Sequence, residues 1–204
     1  MKGLGKLRLV EPVIDAGETD GRRRRSQDSR ARIVAAMLDL VREGEVSPGA
    51  ETVAARAEVG LRTVFRHFKD MDSLYGEMSH AMEGEIRKVV AQPLRGATAH
   101  DRVLELIERR STAFEKIAPF KQAADAHRHY SKVLAAGHDR LVTESREILK
   151  RLAPPEVAAD PLKLEALDLL LSFEAWSRLR REQGLSVEKT REVLAAAVKR
   201  VLEA

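Results

Sequence analysis

A chain of 204 residues with 44% hydrophobic residues is long enough to bury a core and too apolar to be disordered throughout. It has no cysteine, which excludes disulfides, thiolate metal sites and cysteine nucleophiles. The net charge of +4 is unevenly spread, with Arg22, Arg23, Arg24 and Arg25 in one block, a run that meets phosphates as readily as it stands solvated.

Aromatics make up only 4%, Leu, Ala, Glu and Arg abound, and no segment alternates in the manner of a strand, so the expected fold class is all-α. Residues 1–25 show no sustained period and are expected to form a flexible basic arm. A first helix is expected from Asp28 or Ser29, either of which can cap it, with Ile33, Met37, Leu40 and Val41 as one apolar stripe and Gly44 as its end. Ser47-Pro48 is expected to open a second helix whose inner face is Ala50, Val53, Ala54 and Ala57. Glu58-Val59-Gly60 makes a turn, and a third short helix runs from Leu61 to Phe68. After Lys69-Asp70 a fourth carries Leu74, Met78 and Met82 on one side.

From Asp101 a further amphipathic helix is marked by Val103, Leu106, Ile107, Phe114 and Ile117, with Pro119 expected to interrupt it. Another is expected from Phe120 to His129, and a longer one from Ser131 to Leu152. Pro154-Pro155 then breaks the chain. Asp160-Pro161 and Gly184 bracket a helix over 161–183, and the last follows Ser186 over 187–203. Neither an apolar signal core nor a run of about 18 apolar residues is present, so no membrane role and a cytoplasmic location are expected.

The segment from Val53 to Phe68 reads as a helix-turn-helix. Ala54 and Ala57 are small enough for two helices to cross closely, and Val59 can plug the corner. Val64 and Phe68, four apart, would face the core. Arg62, Thr63, Arg66 and His67 would then lie outward or at the edges. That set suits DNA: Arg can grip guanine O6 and N7 together, and Thr, His, Lys and other Arg side chains can hold phosphate oxygens. An ordinary helical hairpin with a solvated basic face is the competing reading.

Val53-Ala54-x-x-Ala57-x-Val59-x-x-x-Thr63-Val64-Phe65-x-His67-Phe68, followed by Lys69-Asp70-Met71-Asp72-Ser73-Leu74, resembles the DNA-binding signature of the TetR (tetracycline repressor) family. The resemblance implies a head over 26–72, an α-helical effector-binding and dimerisation region over 73–204, and a repressor released from a palindromic operator by a small molecule. It places Arg62 and Thr63 where the family reads bases or nearby phosphates, and Phe65 and His67 where it contacts the DNA backbone; Arg66 can serve either. The sequence departs from the pattern in several places. Phe65 stands where Tyr is common. Glu58 and Gly60 replace the usual Gly and Ser of the turn. Gly49 falls near a phosphate-holding Thr position, and Met71 stands where a phosphate-binding Lys is usual. Lys69 or the Arg22–Arg25 block is expected to compensate.

The resemblance also implies a homodimer through the last two helices. The breadth of their apolar surface agrees with a second partner, and so does the two-fold symmetry a palindromic operator demands. Candidate effector-lining residues are Phe114, Phe120, His127, Tyr130, Phe173 and Trp176, although aromatics at helical spacing are usually core. His127 and His129 are two apart and cannot share a helix face, so no metal and no cofactor are expected. No catalytic motif is found, and the chain is read as not an enzyme. A helical scaffold or a non-specific DNA binder without ligand response is the alternative.

Overall fold

The computed structural model describes residues 16–204, with side chains from Arg24 onward except Arg25. Among the described residues there is no strand; the chain is helical, as its composition demands. Helix α1 spans Ala16–Arg42. It therefore begins well before Asp28 and Ser29, which lie inside it instead of capping it. The Arg22–Arg25 block is part of this helix and not of an irregular arm, with Arg24 exposed. Residues 1–15 of the expected arm, and the side chains of Arg22, Arg23 and Arg25, lie outside the described residues.

Gly44 ends α1 as expected. Its φ of 104° is open to glycine, and Glu45 N donates to Leu40 O while Gly44 N donates to Val41 O, closing the orphan carbonyls of the last turn. Helix α2 is Ala50–Arg56, capped by Gly49 and not by Ser47-Pro48. The extended Gly49 supplies no side-chain oxygen, and Ala50, Val53, Ala54 and Ala57 are buried as predicted.

The turn after α2 repeats the closure of α1. Val59 N donates to Ala54 O at 3.0 Å and Glu58 N to Ala55 O at 3.2 Å, with Glu58 at φ 53°. Helix α3 follows at Leu61–His67, and α4 at Met71–Val90, whose N-cap Asp70 accepts from Ser73 N and from the Ser73 hydroxyl.

Helix α5 runs unbroken over Ala99–Arg128, opened by a reciprocal box in which Thr98 and Asp101 cap each other. Pro119 sits inside it and does not divide it in two. A proline removes one helical hydrogen bond, but Ile117, Phe120 and Ala123 are buried on either side, and that packing holds the axis. Helix α6 (Lys132–Leu152) is capped by Ser131, and α7 (Pro155–Ala158) is a single turn after the Pro154-Pro155 break. The expected 161–183 helix is segmented: α8 covers Pro161–Leu170 and α9 Phe173–Ser177, and a π turn over Arg178–Glu182 leads to Gly184. Ser172 makes the division, its hydroxyl accepting from Ala175 N as a fresh N-cap. Helix α10 (Val187–Glu203) starts after Ser186 as expected.

Among the described residues two apolar cores result. One gathers Ile33, Met37, Leu40 and Val41 of α1 with Val53 and Ala54 of α2, Val64 of α3 and Leu74 and Met78 of α4. Phe120 and Ala123 of α5 and Leu134 of α6 complete it. The other joins Val103, Leu106 and Ile107 of α5 to Leu149, Val157, Leu164, Leu167, Leu194 and Val198. Helix α5 passes through both.

Candidate functional site

The head presents one face of α3 to solvent because the opposite face is fixed. Val64 and Phe68 are buried against α1 and α2, as their four-residue spacing predicts. Arg62 and Arg66 then project outward, with Phe65 47% exposed beside them and Lys69 exposed just beyond. Thr63 and His67 lie half-buried at the edges. Among the described residues, Arg62 and Arg66 form no ion pair, while Lys69 lies beside the Asp70 carboxylate, which the bonds from Ser73 and then this charge hold below its ordinary value. The basic residues around them are engaged: Arg56 holds Glu43 with two bonds of 2.7 and 2.8 Å, and Arg30 pairs with Glu77 at 2.5 Å while covering the Phe68 ring at 5.0 Å. Burial, with Arg66 and Arg30 nearby, holds the His67 imidazole below its ordinary value of 6.5, and its Nε2 has no partner among the described residues.

Among the cavities formed by the described residues, two adjoin along α5 and α6, one of about 210 Å³ between α4, α5 and α6 and one of about 140 Å³ further along toward α8 and α9. Ile86, Ile117, Lys121, His138 and Leu141 line both. Of the aromatic candidates, Phe120 lines the first, and Phe114 and Phe173 the second. Trp176 is buried behind them, its ring 5.7 Å from Phe114 and 5.5 Å from Phe173. His127 and Tyr130 do not belong. His127 stacks on Tyr75 at 4.2 Å, and Tyr130 is 94% exposed where the chain leaves α5 for α6.

The structure adds polar residues that aromatic spacing could not indicate. Arg110 is half-buried and donates to Leu171 O at 2.9 Å and Ser145 O at 2.8 Å; desolvation lowers its pKa to about 10, so it stays charged at neutral pH. Lys121 reaches Asp125 at 2.6 Å. His138 is held below 6.5 by burial and by Lys121 and Arg128, against the pull of Asp125 and Glu174. Among the described residues, no cluster of metal-ligating side chains forms and no helix is long and apolar enough to cross a membrane.

A third surface lies on α8 and α10. Leu162 and Leu169, two turns apart on α8, are 82% and 65% exposed, and Val193 of α10 is also exposed. The inner face of the same helices, Leu164, Leu167, Leu194 and Val198, is buried within the chain.

A three-helix head carrying a helix-turn-helix is joined through α4 to an all-α body, and solved structures share this fold over most of the chain. A transcriptional regulator from Rhodococcus sp. Rha1 superimposes with a TM-score of 0.65 at 19% identity, covering 85% of this chain and 96% of that one. The multidrug binding protein EbrR, solved with imidazole, gives 0.60 at 20% identity over 82% and 88%. A TetR transcriptional regulator from Rhodococcus sp. RHA1 gives 0.56 at 19% identity over 86% and 96%. No protein-family model matches the chain, and no curated protein matches it by sequence. At these identities the likeness is one of fold.

Proposed function

We propose that this chain is a sequence-specific DNA-binding transcriptional regulator, a repressor released from a palindromic operator by a small-molecule effector. The observation that carries the reading is the outward face of α3, where Arg62 and Arg66 stand exposed without carboxylate partners while Val64 and Phe68 lock the helix behind them. Arg62 and Arg66 read base edges; Thr63, Phe65, His67 and Lys69 position the helix on the backbone. The Arg22–Arg25 block, on the first half of α1, adds phosphate contacts and a steeper dependence on salt.

The protein acts as a homodimer, with Leu162, Leu169 and Val193 of α8 and α10 covered by the same surface of the second copy. Two α3 helices then meet half-sites roughly 34–36 Å apart. The effector occupies the cavities around Lys121 and His138; that a similar fold, EbrR, is named a multidrug binding protein and was solved with imidazole supports this placement. Because Phe120 both lines the first cavity and belongs to the core of the head, a bound molecule presses directly on the packing behind α1.

The test is selection from random duplex DNA with the full-length protein, repeated with Arg62→Ala. A palindromic consensus that weakens in the variant supports the reading. Equal affinity for all sequences would replace it with a non-specific binder or a helical scaffold.

A further inference from the structure

The polar groups along the two cavities divide into those already engaged and those left over. Lys121 Nζ lies 2.6 Å from Asp125 and 3.7 Å from Glu174; Arg128 is 3.6 Å from Asp125, and Arg140 is 3.1 Å from Glu83. Toward the second cavity Arg110 spends its donors on two backbone carbonyls, Arg109 pairs with Glu105 at 3.1 Å, and Asp168 faces Arg146 at 3.1 Å. Each formal charge on the walls thus already has an opposite charge or a carbonyl. Two buried atoms lining the first cavity have no partner among the described residues: Ser79 Oγ of α4 and His138 Nδ1 of α6. Both belong to uncharged groups at neutral pH, since burial and the neighbouring Lys121 and Arg128 keep the imidazole deprotonated. The rest of the wall is apolar, including Met82, Ile117, Phe120 and Leu141.

We propose that the effector is an electrically neutral, largely apolar molecule of bicyclic size carrying a hydroxyl or similar hydrogen-bonding group that meets Ser79 and His138. This rests on the effector reading above. Beside Ser79 and His138 a charged group would have to displace one member of an existing ion pair or lie buried without a counter-charge, and both are costly; Arg110, the wall charge held by carbonyls alone, lines only the second cavity. A neutral hydroxyl satisfies the two orphaned atoms at no such cost. As to size, a cavity of roughly 150 Å³ holds a single benzene ring, so these adjoining spaces take two fused rings.

The test is fluorescence titration of the full chain at pH 7.5 with three congeners of one skeleton, 2-naphthol, 2-naphthoate and 2-naphthylmethylammonium, with naphthalene as the apolar reference. Naphthol is expected to bind at least about tenfold more tightly than either ion. Ser79→Ala and His138→Leu are each expected to weaken naphthol several-fold and to leave naphthalene unchanged. A charged congener that matches naphthol overturns the proposal while leaving the cavity as an effector site. Naphthol binding unaffected by both substitutions also overturns it. If none of the four compounds binds, the effector reading falls and the proposal falls with it.

Discussion

The head and the body build from the same kind of helix in opposite ways. In the head, α2 and α3 have seven residues each and meet through Val53, Ala54, Ala57 and Val64, and the exposed arginines of α3 stay outside. In the body, α5 has 30 residues and brings Arg110 and Lys121 inward, each matched by carbonyls or carboxylates. A tight apolar crossing fixes the orientation of a surface. Long helices kept apart by paired polar groups leave room inside. The one suits a rigid surface, and the other a chamber.

The substitution that should blur this contrast most is Phe120→Ala, because Phe120 serves both the head core and the first cavity. A loss of about 3–5 kcal/mol is expected for a buried phenylalanine, measured as a fall in the urea midpoint without change of slope. Arg110→Leu tests the body alone. It removes the donor that holds the Leu171 carbonyl at the end of α8, while the Ser145 carbonyl keeps its helical bond within α6, so a loss of about 1–3 kcal/mol is expected by chemical denaturation, with operator affinity per folded molecule unchanged. Glu58→Gly tests the head alone and should move the other way. Glu58 is held at φ 53° in the turn between α2 and α3, where a glycine carries no Cβ penalty, so a gain of about 1 kcal/mol is expected in the same assay.

The smallest effect is in pH, and it has one contributor in each region. His67 and His138 are both held below the ordinary value of 6.5 in the folded chain. The unfolded chain therefore takes up protons first as pH falls. Their contribution is complete above pH 6.5 and is eroded below it, down through the lowered folded values. Urea midpoints measured from pH 8 to pH 5 should decline over the lower part of that range. His67→Gln should flatten the head's share and His138→Gln the body's; slopes unchanged in both variants would refute the assignment.

The head was legible in sequence because its constraints are local. Ala54, Ala57, Val64 and Phe68 sit where short helices must cross, and Gly44 and the Glu58 turn end helices by backbone rules acting within five residues. Its misread boundaries have local causes too. The segment ahead of Asp28 carries no apolar period to reveal a helix, and Ser47-Pro48 imitated a cap that Gly49 supplies. In the body the deciding forces come from distant residues. Pro119 is tolerated because both cores hold α5, while Ser172 divides a helix where neither proline nor glycine marks a break. Phe114, Phe120 and Phe173 could be chosen by spacing, but Ser79, Lys121 and His138 look like solvated surface until α4, α5 and α6 are brought together.

The passage of α5 through both cores bears on how this protein can be recombined. A head transplanted with a seam after α4 would leave behind Phe120, Ala123 and Leu134, and would arrive with a gap beneath α1. On the proposed function, a new specificity is better installed by rewriting the exposed positions of α3 in place, or by exchanging α1 to α4 together with the three side chains that close their underside. The functional seam of the molecule and its mechanical seam lie at different points along the chain.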